Sequence, residues 1–222
     1  MSIKNDYDYL FKYILVGDFS VGKSNILLRF SKNEFNTNYH STIGIEFSTK
    51  SITINNKNLR IQVWDTAGQE KFLGITKNYF KDCCCVLIIY DITNRQTFNN
   101  LQNWINTIQN YCNKYITLYM IGNKCDLEEQ REVNYEEGEK FAQENNIHFN
   151  ESSAKENINI NEIFEECTKI ICDNIDKEIY DLNNENIGIK RGKRENIIIG
   201  ENNNKNNNNK CCWFIYIIYY FN

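Results

Sequence analysis

A chain of 222 residues with 41% hydrophobic and 24% charged side chains is globular in composition and long enough to bury a full core, as one domain with an extension. Its net charge of -4 argues against a general nucleic-acid binder, which is usually basic. Nine cysteines are present, but none pairs with a histidine at zinc-ligand spacing, and the absence of proline excludes Pro-rich linkers. The opening MSIKNDYDYL lacks the basic and long apolar regions of a secretory signal, so reduced thiols in a cytosolic setting are expected.

In chain order, residues 1–8 read as a polar, mobile lead. Residues 9–16 (YLFKYILV) are a short apolar run of strand type, and residues 23–31 continue as a helix. Residues 32–44 form a long polar loop with Phe35 and Tyr39 set in it, and loops of that length in compact domains are more often functional than not. The alternating, β-branched stretch 45–54, a turn at 55–58 and the stretch 59–65 predict an antiparallel hairpin. Residues 72–81 read as a short helix. Residues 83–90 (CCCVLIIY) read as a strand buried on both faces, the three cysteines serving as small hydrophobes.

Apolar residues at Phe98, Leu101, Trp104, Ile105 and Ile108 predict one helix over 93–109. A buried strand over 116–121, a helix over 135–145, a strand over 147–151 and a final amphipathic helix over 161–175 complete the pattern. The expected fold is α/β. It has a mostly parallel six-stranded sheet, one antiparallel strand and about five helices on both faces. The domain is expected over residues 9–178. Residues 179–222 read as a disordered tail, with a basic cluster at 190–194, an Asn-rich run, Cys211-Cys212 and an apolar end.

Gly17-Asp18-Phe19-Ser20-Val21-Gly22-Lys23-Ser24 fits G-x-x-x-x-G-K-[ST], the phosphate-binding loop. Its backbone N–H groups, with those of Ser20, Val21, Gly22 and Asn25, curl around phosphate oxygens. Lys23 reaches the terminal phosphates and the Ser24 hydroxyl ligates Mg²⁺. Asp65-Thr66-Ala67-Gly68-Gln69 starts at a strand end. Asp65 can hold Mg²⁺ through a water, Gly68 can approach a γ-phosphate, and the Gln69 amide can orient an attacking water. In Asn123-Lys124-Cys125-Asp126, the Asp126 carboxylate can accept both N–H donors of a guanine edge, which adenine lacks. Asn123 can tie that loop to the phosphate loop, and the Lys124 stem can cover the base. Ser153-Ala154-Lys155 would supply a backbone N–H to guanine O6.

Phosphate loop, Asp-x-x-Gly, Asn-Lys-x-Asp and Ser-Ala-Lys, in this order and all at strand ends, resemble the Ras superfamily of small GTPases. Within it they resemble the Rab family, through Ser41-Thr42-Ile43-Gly44-Ile45-Glu46-Phe47, Trp64-Asp65-Thr66-Ala67-Gly68-Gln69-Glu70-Lys71-Phe72, Tyr79-Phe80 and Tyr90-Asp91-Ile92-Thr93. The resemblance covers residues 9–175 and is closest to the secretory branch. It implies a GTP/GDP switch that hydrolyses GTP with Mg²⁺ and regulates vesicle traffic. Gln69 would be catalytic, Thr42 would bind Mg²⁺ and the γ-phosphate, and Phe35 would cover the guanine. Ile43, Gly44, Phe47, Trp64, Phe72 and Tyr79 would form the effector surface. It further implies effectors, an exchange factor, an activating protein and a GDP-dissociation inhibitor or prenylation escort. The expected location is the cytoplasm and the cytosolic face of an intracellular membrane, through lipidated Cys211 and Cys212.

Two features depart from the Rab pattern. Phe19 stands where Rabs usually carry a small residue. A benzyl group there can displace the attacking water, misplace Gln69 or block an arginine finger, leaving a GTP-loaded module that binds effectors without turnover. The alternative is a ring that points to solvent and costs nothing. The second departure is the ten residues that follow Cys212, where Rabs end in or near two cysteines. Three readings stand side by side: prenylation after trimming, added membrane affinity from the apolar end, or translation beyond a true end.

Overall fold

The structure, a computed structural model, describes residues 7–37, 45–66, 80 and 82–192. The helix expected over 72–81 therefore lies outside the described residues, apart from Phe80. The strands are β1 (Tyr9–Val16), β2 (Ile45–Ile54), β3 (Lys57–Thr66), β4 (Cys85–Asp91), β5 (Thr117–Asn123), β6 (His148–Ser152) and β7 (Ile189–Arg191). The α-helices are α1 (Lys23–Lys32), α2 (Arg95–Asn99), α3 (Leu101–Tyr111), α4 (Tyr135–Glu144) and α5 (Ile160–Asp176).

The sheet runs β2-β3-β1-β4-β5-β6. β1 pairs parallel with β3 and β4, β4 with β5, and β5 with β6; β2 and β3 form the expected antiparallel hairpin. Period-two alternation along buried strands feeds two cores. Phe11, Tyr13 and Leu15 of β1 join the core under α1 and α5, while Ile14 and Val16 join the one under α3 and α4. Every residue of β4 is buried, and Cys83, Cys84 and Cys85 are core thiols that the described residues leave free of disulfides. Burial pushes the Cys84 and Cys85 thiols well above their usual range. α5 seats its apolar stripe on the sheet, with Phe164 stacked on Phe30 and Thr168 sharing a 2.9 Å hydrogen bond with the buried Tyr13 hydroxyl.

Three expectations need correction. The helix expected over 93–109 is divided at Asn100, where Asn94 caps α2 and α3 begins anew. The sheet has seven strands rather than six. The tail expected from residue 179 folds back as far as residue 192. Tyr180, Ile187 and Ile189 are buried in the first core, and β7 runs antiparallel to the first half of β1. The physical reason is an open edge: β4 pairs with β1 only from Tyr13 onward, so Tyr9–Phe11 leave backbone groups that β7 satisfies. Gly188 makes the approach possible. Its φ is +70°, and a Cβ there would lie 2.4 Å from the Cys83 backbone. Three residues with apolar partners already waiting outweigh a composition that reads as tail.

Candidate functional site

The parallel strands β1, β3, β4, β5 and β6 bring their carboxyl ends to one edge of the sheet, the side on which α/β folds bind ligands. β1 ends at Val16 and the loop from Gly17 to Gly22 delivers the chain into α1, so the free N–H groups of the helix face the loop's interior. Gly22 is the N-cap with φ +99°, a backbone that strains any other residue, and a Cβ would fall 2.3 Å from Asn123 Nδ2, so the Asn123 amide would have to shift. Lys23 is 6% exposed. Its ammonium donates to the carbonyls of Gly17 (2.9 Å) and Asp18 (2.7 Å). Burial pushes it down to about 8, against the pull of Asp65 and Asp18.

Ser24 Oγ donates to Asp65 Oδ2 at 2.5 Å. A hydroxyl at the start of α1 and a fully buried carboxylate at the end of β3 are both hard oxygen donors, the chemistry that suits Mg²⁺. The two expected metal ligands in the described residues therefore meet.

The β5 and β6 ends are joined by one amide. Asn123 Nδ2 donates to the Val21 carbonyl at 2.8 Å, while its Oδ1 accepts from Ser152 Oγ (3.2 Å) and the Ala154 N–H (3.4 Å). Phosphate loop, Asn-Lys-x-Asp loop and Ser-Ala-Lys loop thus share one hub. Asp126 Oδ1 accepts from Ser153 Oγ at 2.6 Å, and the Lys155 ammonium is 4.0 Å from Oδ2. Lys124, at φ +71°, donates to Asp91 Oδ2 at 2.5 Å. Asn25 clamps the loop after α1: its amide exchanges bonds of 3.1 and 3.0 Å with the backbone of Asn36. Its side chain is thereby engaged in holding that loop. Phe35 is half-buried against the first core.

Phe19 is 45% exposed. On the hairpin, Phe47 is 58% exposed and stacks on its cross-strand neighbour Trp64 at 5.2 Å, with the Lys12 ammonium 5.2 Å from the Trp64 ring. Thr42, Ile43, Gly44, Gly68, Gln69, Phe72, Tyr79, Cys211 and Cys212 lie outside the described residues. Among the described residues, no helix is long and apolar enough to cross a membrane.

Several supporting side chains had no signal in the linear pattern. Arg29 of α1 donates to the carbonyls of Ala154 (2.9 Å) and Lys155 (3.0 Å), fixing the Ser-Ala-Lys backbone from 125 residues away. Arg131 forms a fork on Glu151 at 2.6 and 2.8 Å beneath the β6 end. Asp18 accepts from Asn100 and Trp104. An arginine on an amphipathic helix or an aspartate in a loop reads as a solvated charge until the fold brings its partner.

The fold and site define an α/β domain of the phosphate-loop class, with the Ser24 hydroxyl and the Asp65 carboxylate meeting at the loop and the Asp126 carboxylate held by Ser153 beside the β5 end. A model of the Ras family matches residues 12–173, most of the chain. The chain belongs to the Ras family, whose members are small GTPase switches that bind GTP or GDP with Mg²⁺ and work with regulators and effectors.

Proposed function

We propose that this chain is a Rab-like GTP/GDP switch that hydrolyses GTP and regulates membrane traffic. It would act on the cytosolic face of an intracellular membrane, anchored through lipidated Cys211 and Cys212. The observation that carries the nucleotide reading is the Asn123 hub, which locks the phosphate loop, the Asp126 acceptor and Ser153-Ala154-Lys155 into one cradle. In that cradle Lys23 offers a buried cation to the terminal phosphates, and Ser24 with Asp65 would hold Mg²⁺. When bound, the ion neutralises charge on the β- and γ-phosphate oxygens. Asp126, oriented by Ser153, takes the two N–H donors of guanine. Because adenine offers no such pair of donors at that edge, the site discriminates strongly between the bases.

The switching step follows from the resemblance: Thr42 and Gly68 answer to the γ-phosphate, and Gln69 orients the attacking water. Phe47 over Trp64 supports the effector reading, since an exposed aromatic ring stacked on a half-buried one next to a switch loop favours a protein partner. The membrane reading rests on the basic cluster and Cys211-Cys212 of the sequence.

A second reading is favoured by Phe19. Its ring is half-exposed, and the resemblance puts this position beside the γ-phosphate, where a benzyl group can exclude an arginine finger and leave the chain GTP-loaded. Single-turnover hydrolysis of bound GTP, in wild type and Phe19→Ser, with and without an activating protein, separates the two. Equal wild-type and variant rates support the hydrolysing switch. A variant faster by about 10³-fold with the activating protein supports the second reading. Failure to retain guanine over adenine nucleotide refutes both.

A further inference from the structure

We propose that Asp18 is a positioning residue that clamps the phosphate loop to α3 and so orients Lys23; this rests on the nucleotide-binding reading above. Asp18 occupies the first of the four open places in the G-x-x-x-x-G-K-S pattern, where the motif makes no demand. Its carboxylate accepts from Asn100 Nδ2 at 2.6 Å and from Trp104 Nε1 at 2.8 Å. Its backbone carbonyl accepts from the Lys23 ammonium at 2.7 Å. One residue therefore joins a helix of the second core to the cation that meets the phosphates.

Both donors on α3 are committed to this bond. The indole N–H is donor-only, Trp104 is buried, and the Asp18 carboxylate is its acceptor. Asn100 holds the N-cap place of α3, where an Asn side chain ordinarily accepts an N–H from the first helical turn. Here it makes no cap bond, and its amide donates outward to the loop instead. The carboxylate also lies at the N-terminal turn of α3, where the helix dipole favours negative charge.

The rest of the loop shows why an anchor is needed there. The far limb is tied down at Val21 by Asn123. Between the two ties the chain passes through Ser20 at φ +67°, a left-handed backbone that persists only when its flanks are held. With the near limb released, the Asp18 carbonyl can turn and Lys23 loses one of its two guides.

The test is release of a fluorescent GDP analogue from the full chain in wild type, Asp18→Ala, Asp18→Asn, Trp104→Phe and the Asp18→Ala/Trp104→Phe double variant. Each is paired with its unfolding midpoint. Asp18→Ala is expected to speed release ~10-fold and Trp104→Phe ~3-fold, from the loss of charge-assisted bonds. Asp18→Asn, which keeps one acceptor, falls between wild type and Asp18→Ala. The double variant is no faster than Asp18→Ala, because both changes break the same link. Midpoints that fall while release rates stay at the wild-type value overturn the clamp, as does a double variant whose effects multiply. Trp104→Phe keeps the ring in the core and carries the comparison if Asp18→Ala does not fold. A wild type that retains no guanine nucleotide overturns both the clamp and the reading beneath it.

Discussion

Changing Glu151 to Gln isolates the charge pair beneath the Asn-Lys-x-Asp and Ser-Ala-Lys loops. Arg131 grips both Glu151 oxygens, at 2.6 and 2.8 Å, with side chains 13% and 9% exposed. The same guanidinium also bonds Glu128 and the Val133 carbonyl, and the Glu151 bonds, then those of Glu128, hold it well above its usual range. Breaking a buried pair by removing one partner typically costs about 3–5 kcal/mol. Glu128 and Val133 remain to satisfy part of Arg131, so the expected cost of Glu151→Gln is ~2–3 kcal/mol. In a domain of this size that corresponds to a fall in Tm of about 5–10 °C. Thermal unfolding by circular dichroism in excess GDP and Mg²⁺ reads it. Glu151 immediately precedes Ser152, which donates to the Asn123 hub, so faster release of guanine nucleotide should accompany the loss. Replacing both partners, Arg131→Met with Glu151→Leu, should recover most of the stability, because no buried charge is then left alone. A Tm within about 2 °C of wild type for Glu151→Gln, or a double variant as unstable as the two single effects added, refutes the reasoning.

The remaining predictions concern the cores. Tyr90→Phe should raise stability by ~1 kcal/mol in chemical denaturation, because the buried Tyr90 hydroxyl meets no hydrogen-bond partner among the described residues and Phe removes only that cost. A chain shortened to residue 178 should unfold about 5–10 °C below one ending at residue 192, since it loses the burial of Tyr180, Ile187 and Ile189; equal midpoints would show that β7 adds nothing. Among the described thiols, native alkylation at neutral pH, mapped by mass spectrometry, should modify half-buried Cys112 and Cys125 before Cys83, Cys84 and Cys85, because burial shields those three and raises Cys84 and Cys85, while the bond to Cys112 and then burial raise Cys83.

Much of the architecture was legible in residue order. The run from Tyr9 to Val16, the fully apolar β4 and the 3.6-residue stripe of α5 each state their element through local periodicity, because burial on one or both faces leaves a pattern in the chain. The site's first layer was legible for a similar reason. A phosphate loop needs glycine, lysine and serine at fixed spacing, and that need is written locally in Gly17, Gly22, Lys23 and Ser24. The chain also announced Asp65 and Asp126 by placing carboxylates at strand ends, where α/β sheets put their ligands.

Only tertiary structure decided the second layer. Asp18 to Trp104, Arg29 to Ala154 and Arg131 to Glu151 are bonds between groups from 20 to 125 residues apart, and each partner alone reads as an ordinary polar residue. β7 is the same lesson in the backbone. Ile189–Arg191 carries too little pattern to predict a strand; it becomes one because β4 leaves the first half of β1 unpaired and Gly188 lets the chain approach. The sequence by itself determined which residues carry the phosphate-loop and Asn-Lys-x-Asp motifs, because the chemistry those motifs serve imposes residue types at fixed spacing. What holds those residues in place was decided by packing, since an edge to be paired or a carboxylate to be oriented exists only once distant strands and helices are assembled.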